Sequence, residues 1–125
     1  MNDKKHILIV EDEEFIASLY KMNLEQKGVE VTTVYNGQQA IDTLKTITPD
    51  LMLLDLLMPE VDGFEVLERL KKNKQKISFP IIILTNLSQQ IDKKKCEKMG
   101  AEDYIVKSEL GTEELWSKLS PYLKK

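Results

Sequence analysis

Ile7-Leu8-Ile9-Val10 runs straight into Glu11-Asp12, and Leu51-Met52-Leu53-Leu54 runs straight into Asp55. Each is a short apolar run with no polar alternation, closed by acid. Such a run reads as a strand covered on both faces. Working outward, five apolar runs punctuate the chain, at 7–10, 29–35, 51–54, 80–85 and 103–106. The second, with Glu30, Thr32 and Thr33 inside it, is more mixed and reads as an edge strand. Between the runs lie helical stretches. The first, over 13–27, places Phe15, Ile16, Leu19, Tyr20 and Met22 on a broad apolar face, and Gly28 ends it. The second, over 37–46, repeats Ile41, Leu44 and Ile47. The third, over 63–72, is capped by Asp62 with Glu65 at capping-box spacing, and turns Phe64, Leu67 and Leu70 inward. The fourth, over 89–99, has Ser88 as its cap, Gly100 as its stop, and a thin apolar stripe of Ile91, Cys96 and Met99. The fifth, over 113–119, has Thr112 as its cap and carries Leu115, Trp116 and Leu119, with Pro121 expected to interrupt it.

Strand then helix, five times over, predicts an α/β fold: a doubly wound, five-stranded parallel sheet with helices on both faces. In the flavodoxin-like version of that architecture the strand order is 2-1-3-4-5, and ligands bind beyond the carboxyl ends of strands 1 and 3, where the order reverses. The residues to inspect are therefore those after Val10 and Leu54.

Length and composition agree with one domain over 1–125. A chain of 125 residues buries roughly two-thirds of the surface its unfolded form exposes, enough for a core. The net charge of −3 and the lone arginine, Arg69, argue against a nucleic-acid binder, which would need a basic face. The apolar run 7–10 is too short for a signal peptide or a membrane span. The single cysteine, Cys96, can form no internal disulfide, and a cytoplasmic location is expected. It should pack as a small apolar residue. With only one histidine, His6, a metal site has to be built from oxygen.

At the strand ends, Glu11 and Asp12 follow strand 1, Asp55 follows strand 3, Thr85 ends strand 4, and Lys107 follows strand 5. Three gathered carboxylates repel one another unless a cation sits among them or protons are taken up. Mg²⁺ commonly binds through one or two carboxylates together with water and phosphate. A hydroxyl can donate to one phosphoryl oxygen, an ammonium can neutralise another, and a carboxylate can itself be the nucleophile. Each residue alone has a plain structural role: a first-turn acid, a loop acid, a strand end, a solvated lysine. Their joint placement on one sheet edge points to metal-assisted phosphoryl chemistry.

The stretches Ile7–Asp12, Pro49–Asp55, Met58-Pro59-Glu60-Val61-Asp62-Gly63, Pro80–Thr85, Gly100-Ala101-Glu102-Asp103-Tyr104 and Lys107 resemble, in order and spacing, the CheY-like receiver domain of two-component response regulators. The resemblance covers essentially the whole chain. It implies Asp55 as phosphoacceptor, Mg²⁺ held by Asp12, Asp55 and the Leu57 carbonyl with Glu11 acting through a metal-bound water, and Thr85 and Lys107 on the phosphoryl group. Tyr104 matches an aromatic that swings inward on activation. The implied partners are a histidine kinase or histidine phosphotransfer protein, and a downstream protein on the face of helix 4, strand 5 and helix 5. For that face, with Lys93, Lys94, Lys95 and Lys98 on helix 4, a solvated surface is the plainer reading.

The sequence also departs from the family. Ser108 replaces the usual proline after the lysine, so the Lys107–Ser108 peptide is expected to be trans. Asn86 narrows access beside Thr85. Leu57 and Leu87 place apolar side chains where water would attack, so self-dephosphorylation is expected to be slow. Free-standing regulator, relay intermediate and receiver of a longer protein all stay open. The competing readings are a pseudo-receiver that is not phosphorylated, a haloacid-dehalogenase-type phosphohydrolase, which would need an acid at Leu57, and a flavodoxin, whose flavin phosphate the acids would repel.

Overall fold

The computed structural model describes residues 4–72, 77–87, 89–111 and 114–123. Strands β1 (His6–Val10), β2 (Glu30–Val34), β3 (Leu51–Leu54), β4 (Ile81–Thr85) and β5 (Asp103–Val106) alternate with helices α1 (Glu14–Glu25), α2 (Gly37–Thr43), α3 (Gly63–Lys72), α4 (Gln90–Lys98) and α5 (Glu114–Leu123). The sheet is parallel in the order β2-β1-β3-β4-β5, as the alternation predicts.

The period of two along each strand divides the core into two layers. Leu8, Val10, Met52, Leu54, Ile81 and Ile83 meet α2, α3 and α4 through Ile41, Val66, Leu67, Leu70 and Cys96. Ile7, Ile9, Leu51, Leu53, Ile82, Leu84 and Ile105 meet α1 and α5 through Leu24, Leu115 and Leu119. Burying each such side chain contributes about 1.5–3 kcal/mol, so the unalternated strands are the main apolar stabiliser of the fold.

The helices depart from the sequence reading where tertiary packing overrules periodicity. α1 sits on the sheet through Ala17 and Leu24, with Ile16 and Tyr20 half-buried; Phe15, Leu19 and Met22 are instead exposed, at 75%, 48% and 58%. Small Ala17 lets the helix lie close, which turns the larger stripe to solvent. α2 ends at Thr43 rather than 46, because Lys45 and Thr46 make tighter i→i+3 bonds to Asp42 and Thr43. In α4, Ile91 is 73% exposed, so the stripe reduces to buried Cys96 and half-buried Met99. Gln89 is the N-cap of that helix; Ser88, Thr112 and Glu113 lie outside the described residues. Pro121 does not interrupt α5, which runs on to Leu123. Buried Leu123 anchors the last turn, and the Tyr122 hydroxyl donates to Asp103 Oδ2 at 2.9 Å. Trp116 is only half-buried; Leu115, Leu119 and Leu123 anchor the helix. Asp62 caps α3 as expected, accepting from the Glu65 amide at 2.9 Å, while the Glu65 side chain turns to Arg69.

Cys96 packs as an apolar residue with no exposed surface, and burial, reinforced by Asp92, pushes its thiol up to about 11. Native protein at neutral pH is therefore expected to resist maleimide, and denatured protein to react fully; mass spectrometry after timed labelling checks this.

Candidate functional site

The sheet register assembles the site. Val10 lies opposite Leu54 in the β1–β3 pair, so the residues that follow, Glu11 and Asp55, leave the sheet side by side. The ladder continues one step further: the Asp55 amide donates to the Val10 carbonyl at 3.1 Å, and the Glu11 amide to the Val34 carbonyl at 3.1 Å. On the other side Thr85 lies opposite Val106, and Lys107 follows at once. The two crossovers at this edge thus converge on one point.

There the Lys107 ammonium donates to Glu11 Oε1 and to Asp55 Oδ2, the latter at 3.0 Å. Glu11, Asp12 and Asp55 each bring an oxygen within 4.8 Å of the others. Glu11 and Asp55 are buried and Asp12 is half-buried. Backbone amides take up the remaining oxygens: Leu57 N–H donates to Asp55 Oδ1 at 3.1 Å and Glu13 N–H to Glu11 Oε2 at 3.2 Å. Burial pushes the Glu11 carboxyl above its usual value, although Lys107 pulls it back. Burial opposes the charge on Lys107, but its bonds to Glu11 and Asp55 prevail and lift its pKa, so the lysine is charged.

One ammonium thus pairs with two of three converging carboxylates, Glu11 and Asp55. The donor set is all oxygen, which suits a hard divalent cation such as Mg²⁺. Thr85 fits an anionic ligand at the same edge. Its side chain is fully buried, and Oγ1 is the one buried side-chain polar atom among the described residues without a hydrogen-bond partner. Such a group costs about 1–3 kcal/mol, which a bound acceptor would recover.

The remaining expected residues lie around this edge. The Tyr104 hydroxyl donates to the Leu87 carbonyl at 2.7 Å, tying β5 to the segment after Thr85, and burial lifts its pKa to about 12. The Leu57 side chain is half in solvent, and Asn86 is exposed. The Lys107–Ser108 bond is trans, as no described peptide is cis, and the chain enters a short 3₁₀ turn over Lys107–Glu109.

The response regulator receiver domain family matches residues 7–120. The chain belongs to that family. The receiver is 42% identical over 103 residues to the alkaline phosphatase synthesis transcriptional regulatory protein PhoP of Bacillus subtilis (strain 168); the match takes in 82% of the receiver but 42% of PhoP. The receiver thus spans less than half the length of this curated relative. Among solved structures it resembles the chemotaxis protein CheY4 of Vibrio cholerae, with TM-score 0.87 and 27% identity, covering 96% of this chain and 99% of that one. It also resembles the signal receiver domain of a signal transduction histidine kinase from Syntrophus aciditrophicus, with TM-score 0.83 and 36% identity, covering 95% and 89%.

Two features at the receiver's site were not legible as such. Gly63 closes the loop after Asp55, its amide donating to the Leu56 carbonyl at 3.2 Å. In the same loop Glu60 adopts a φ of 63°, a left-handed conformation that costs a side chain about 1–2 kcal/mol. Asparagine tolerates that conformation better, so Glu60→Asn is expected to stabilise the receiver by about 1 kcal/mol, checked by urea unfolding at equal m-value.

Proposed function

We propose that this receiver is a Mg²⁺-dependent phosphorylation switch in which Asp55 takes a phosphoryl group from a histidine kinase or histidine phosphotransfer protein. The observation that carries the reading is the imbalance at the sheet edge: three convergent carboxylates against one lysine. Asp12, Asp55 and the Leu57 carbonyl would hold Mg²⁺, with Glu11 acting through water. The ion would supply charge neutralisation for the approaching phosphoryl oxygens.

The chain's own groups do the rest. One Asp55 carboxylate oxygen forms the new P–O bond while the donor's P–N bond breaks, its electron pair staying on the imidazole nitrogen. The Leu57 amide and the Lys107 ammonium hold the carboxylate in place for that attack. Lys107 then has a phosphoryl oxygen to pair with, and the unpartnered Thr85 hydroxyl has an acceptor. Contacts of this kind contribute about 1.5–3 kcal/mol each, and reversing a 1:99 equilibrium takes about 5.5 kcal/mol. Two contacts approach that figure, and a partner on the α4–β5–α5 face, through Tyr104, would complete it. On the input side, exposed Phe15, Leu19 and Met22 line one face of the helix that follows Asp12, a surface suited to a helical donor.

The reading assigns the switch to this chain and leaves the output open. The named role of PhoP is transcriptional regulation, and the receiver spans less than half of PhoP. A protein-contact output for the receiver itself is the reading its acidic net charge supports.

Mg²⁺ at ten times its dissociation constant should raise stability by about 1.4 kcal/mol, a few degrees in melting temperature. Asp12→Asn should melt no lower than wild type without metal, since it relieves like-charge repulsion, and should lose the Mg²⁺ response. A full Mg²⁺ shift in Asp12→Asn would remove Asp12 from the ligand set. No shift in wild type, together with no phosphoryl uptake from acetyl phosphate, would leave the pseudo-receiver standing.

A further inference from the structure

We propose that Tyr20 is a positioning residue for the receiver's chemistry: its ring walls the Lys107 side chain and keeps the ammonium seated between Glu11 and Asp55. The proposal rests on the reading of Lys107 as the lysine that meets the phosphoryl group.

A long, unbranched lysine has many rotamers, and holding it in one is entropically costly unless neighbours fill the space beside it. The Lys107 side chain is nevertheless only 13% exposed, and both of its partners are more buried still. The carboxylates occupy the ammonium end. Lys107 borders a cavity of about 270 Å³ between α1 and the connection from β5 to α5, and Tyr20, Leu110 and Leu115 border the same space. Tyr20 is the aromatic residue in that lining. It is half-buried and packs against the cluster of Leu24, Ile105 and Leu115. Its phenol is raised mainly by burial, and it also feels Lys107, Glu11 and Asp55. The helix that starts beside Asp12 thus brings Tyr20, two turns later, to the cavity that Lys107 also borders.

The effect should reach the chemistry through Lys107 and not through the fold as a whole. An ammonium held by two carboxylates exchanges its protons slowly, and one whose stem is free to swing away does not. The ¹⁵Nζ signal of Lys107 reports this in the intact receiver and needs no phosphorylation. Tyr20→Ala is expected to speed Lys107 ammonium exchange about tenfold, and Tyr20→Phe, which keeps the ring, to leave it at the wild-type rate. Leu24→Val, a core substitution on the same helix, controls for general loosening and should not speed it. Phosphorylation by acetyl phosphate at saturating Mg²⁺ should slow about three- to tenfold in Tyr20→Ala, with the Mg²⁺ dissociation constant no weaker than in wild type. Should Tyr20→Ala fail to fold, Tyr20→Leu carries the same comparison.

Wild-type exchange in the Ala or Leu variant would overturn the proposal, as would equal acceleration in Leu24→Val. Failure of the wild type to take up phosphate would instead sink the Asp55 reading, leaving the exchange measurement as the test of Tyr20.

Discussion

Asp55→Asn is expected to abolish phosphoryl uptake completely while leaving the receiver folded. The substitution keeps the size of a buried side chain and replaces a nucleophilic carboxylate with an amide that has no free anionic oxygen. It also removes one of three crowded acids, so the metal-free variant should melt at or above the wild-type temperature. The measurement is intact mass after incubation with acetyl phosphate and Mg²⁺. Wild type should gain the mass of one phosphoryl group, lose that gain when Mg²⁺ is chelated, and show none in the Asn variant. Uptake by Asp55→Asn would place the acceptor elsewhere. The wild-type adduct should also be long-lived, because Leu57, whose amide holds the Asp55 carboxylate, carries an apolar side chain that cannot orient water. Leu57→Asn, which can orient water, should hydrolyse faster in the same assay.

Gly63→Ala should damage fold and site together. A Cβ at Gly63 would meet the Asp55 carbonyl oxygen in hard contact, and would sit 2.8 Å from Leu56 Cα and 2.9 Å from Leu56 Cδ2. Two of these three are backbone atoms, so no rotamer change relieves them. The only escape is to move the start of α3 away from the segment that follows β3, which carries Asp55. Overpacking of this severity costs about 1–3 kcal/mol, or roughly 3–15 °C in melting temperature. Because the displaced segment is the site itself, the Mg²⁺-induced stabilisation should fall as well. Gly28→Ala is the informative contrast. Gly28 has a φ of 90°, but a Cβ there would meet nothing within 4 Å, so alanine should cost about 1 kcal/mol through the backbone alone and leave the metal response intact. Equal loss of Mg²⁺ response in both variants would mean that general instability, and not displacement of Asp55, is responsible.

The candidate site was legible because its residues end strands, and strand ends in a parallel sheet share one edge. Glu11, Asp12, Asp55, Thr85 and Lys107 could each be named from the chain, and the structure brings Glu11, Asp12, Asp55 and Lys107 together, with Thr85 beside them in the ladder. Helix faces were less legible. Phe15, Leu19 and Met22 have the spacing of a buried stripe, yet it is small Ala17, with Leu24, that meets the sheet. Periodicity reports that a helix has an apolar side, but how much of that side is covered depends on which residues allow close approach. Pro121 failed as a stop signal for a related reason: the loss of one hydrogen bond is outweighed when Leu123 is buried beyond it. Tyr20 was legible only as one residue of an apolar helix face, since nothing in its neighbourhood announces that it borders the same cavity as a lysine 87 positions later.

By itself the sequence determined the alternation of strand and helix, the burial of β1, β3 and β4 on both faces and the identity of the polar residues at the strand ends. These follow from local properties: side-chain periodicity, capping and composition. Tertiary structure alone decided that Val10 stands opposite Leu54 and Thr85 opposite Val106, that one ammonium joins Glu11 to Asp55, and that the Thr85 hydroxyl is left without a partner. Those facts depend on the register of hydrogen-bond ladders between segments far apart in the chain, which no local pattern specifies.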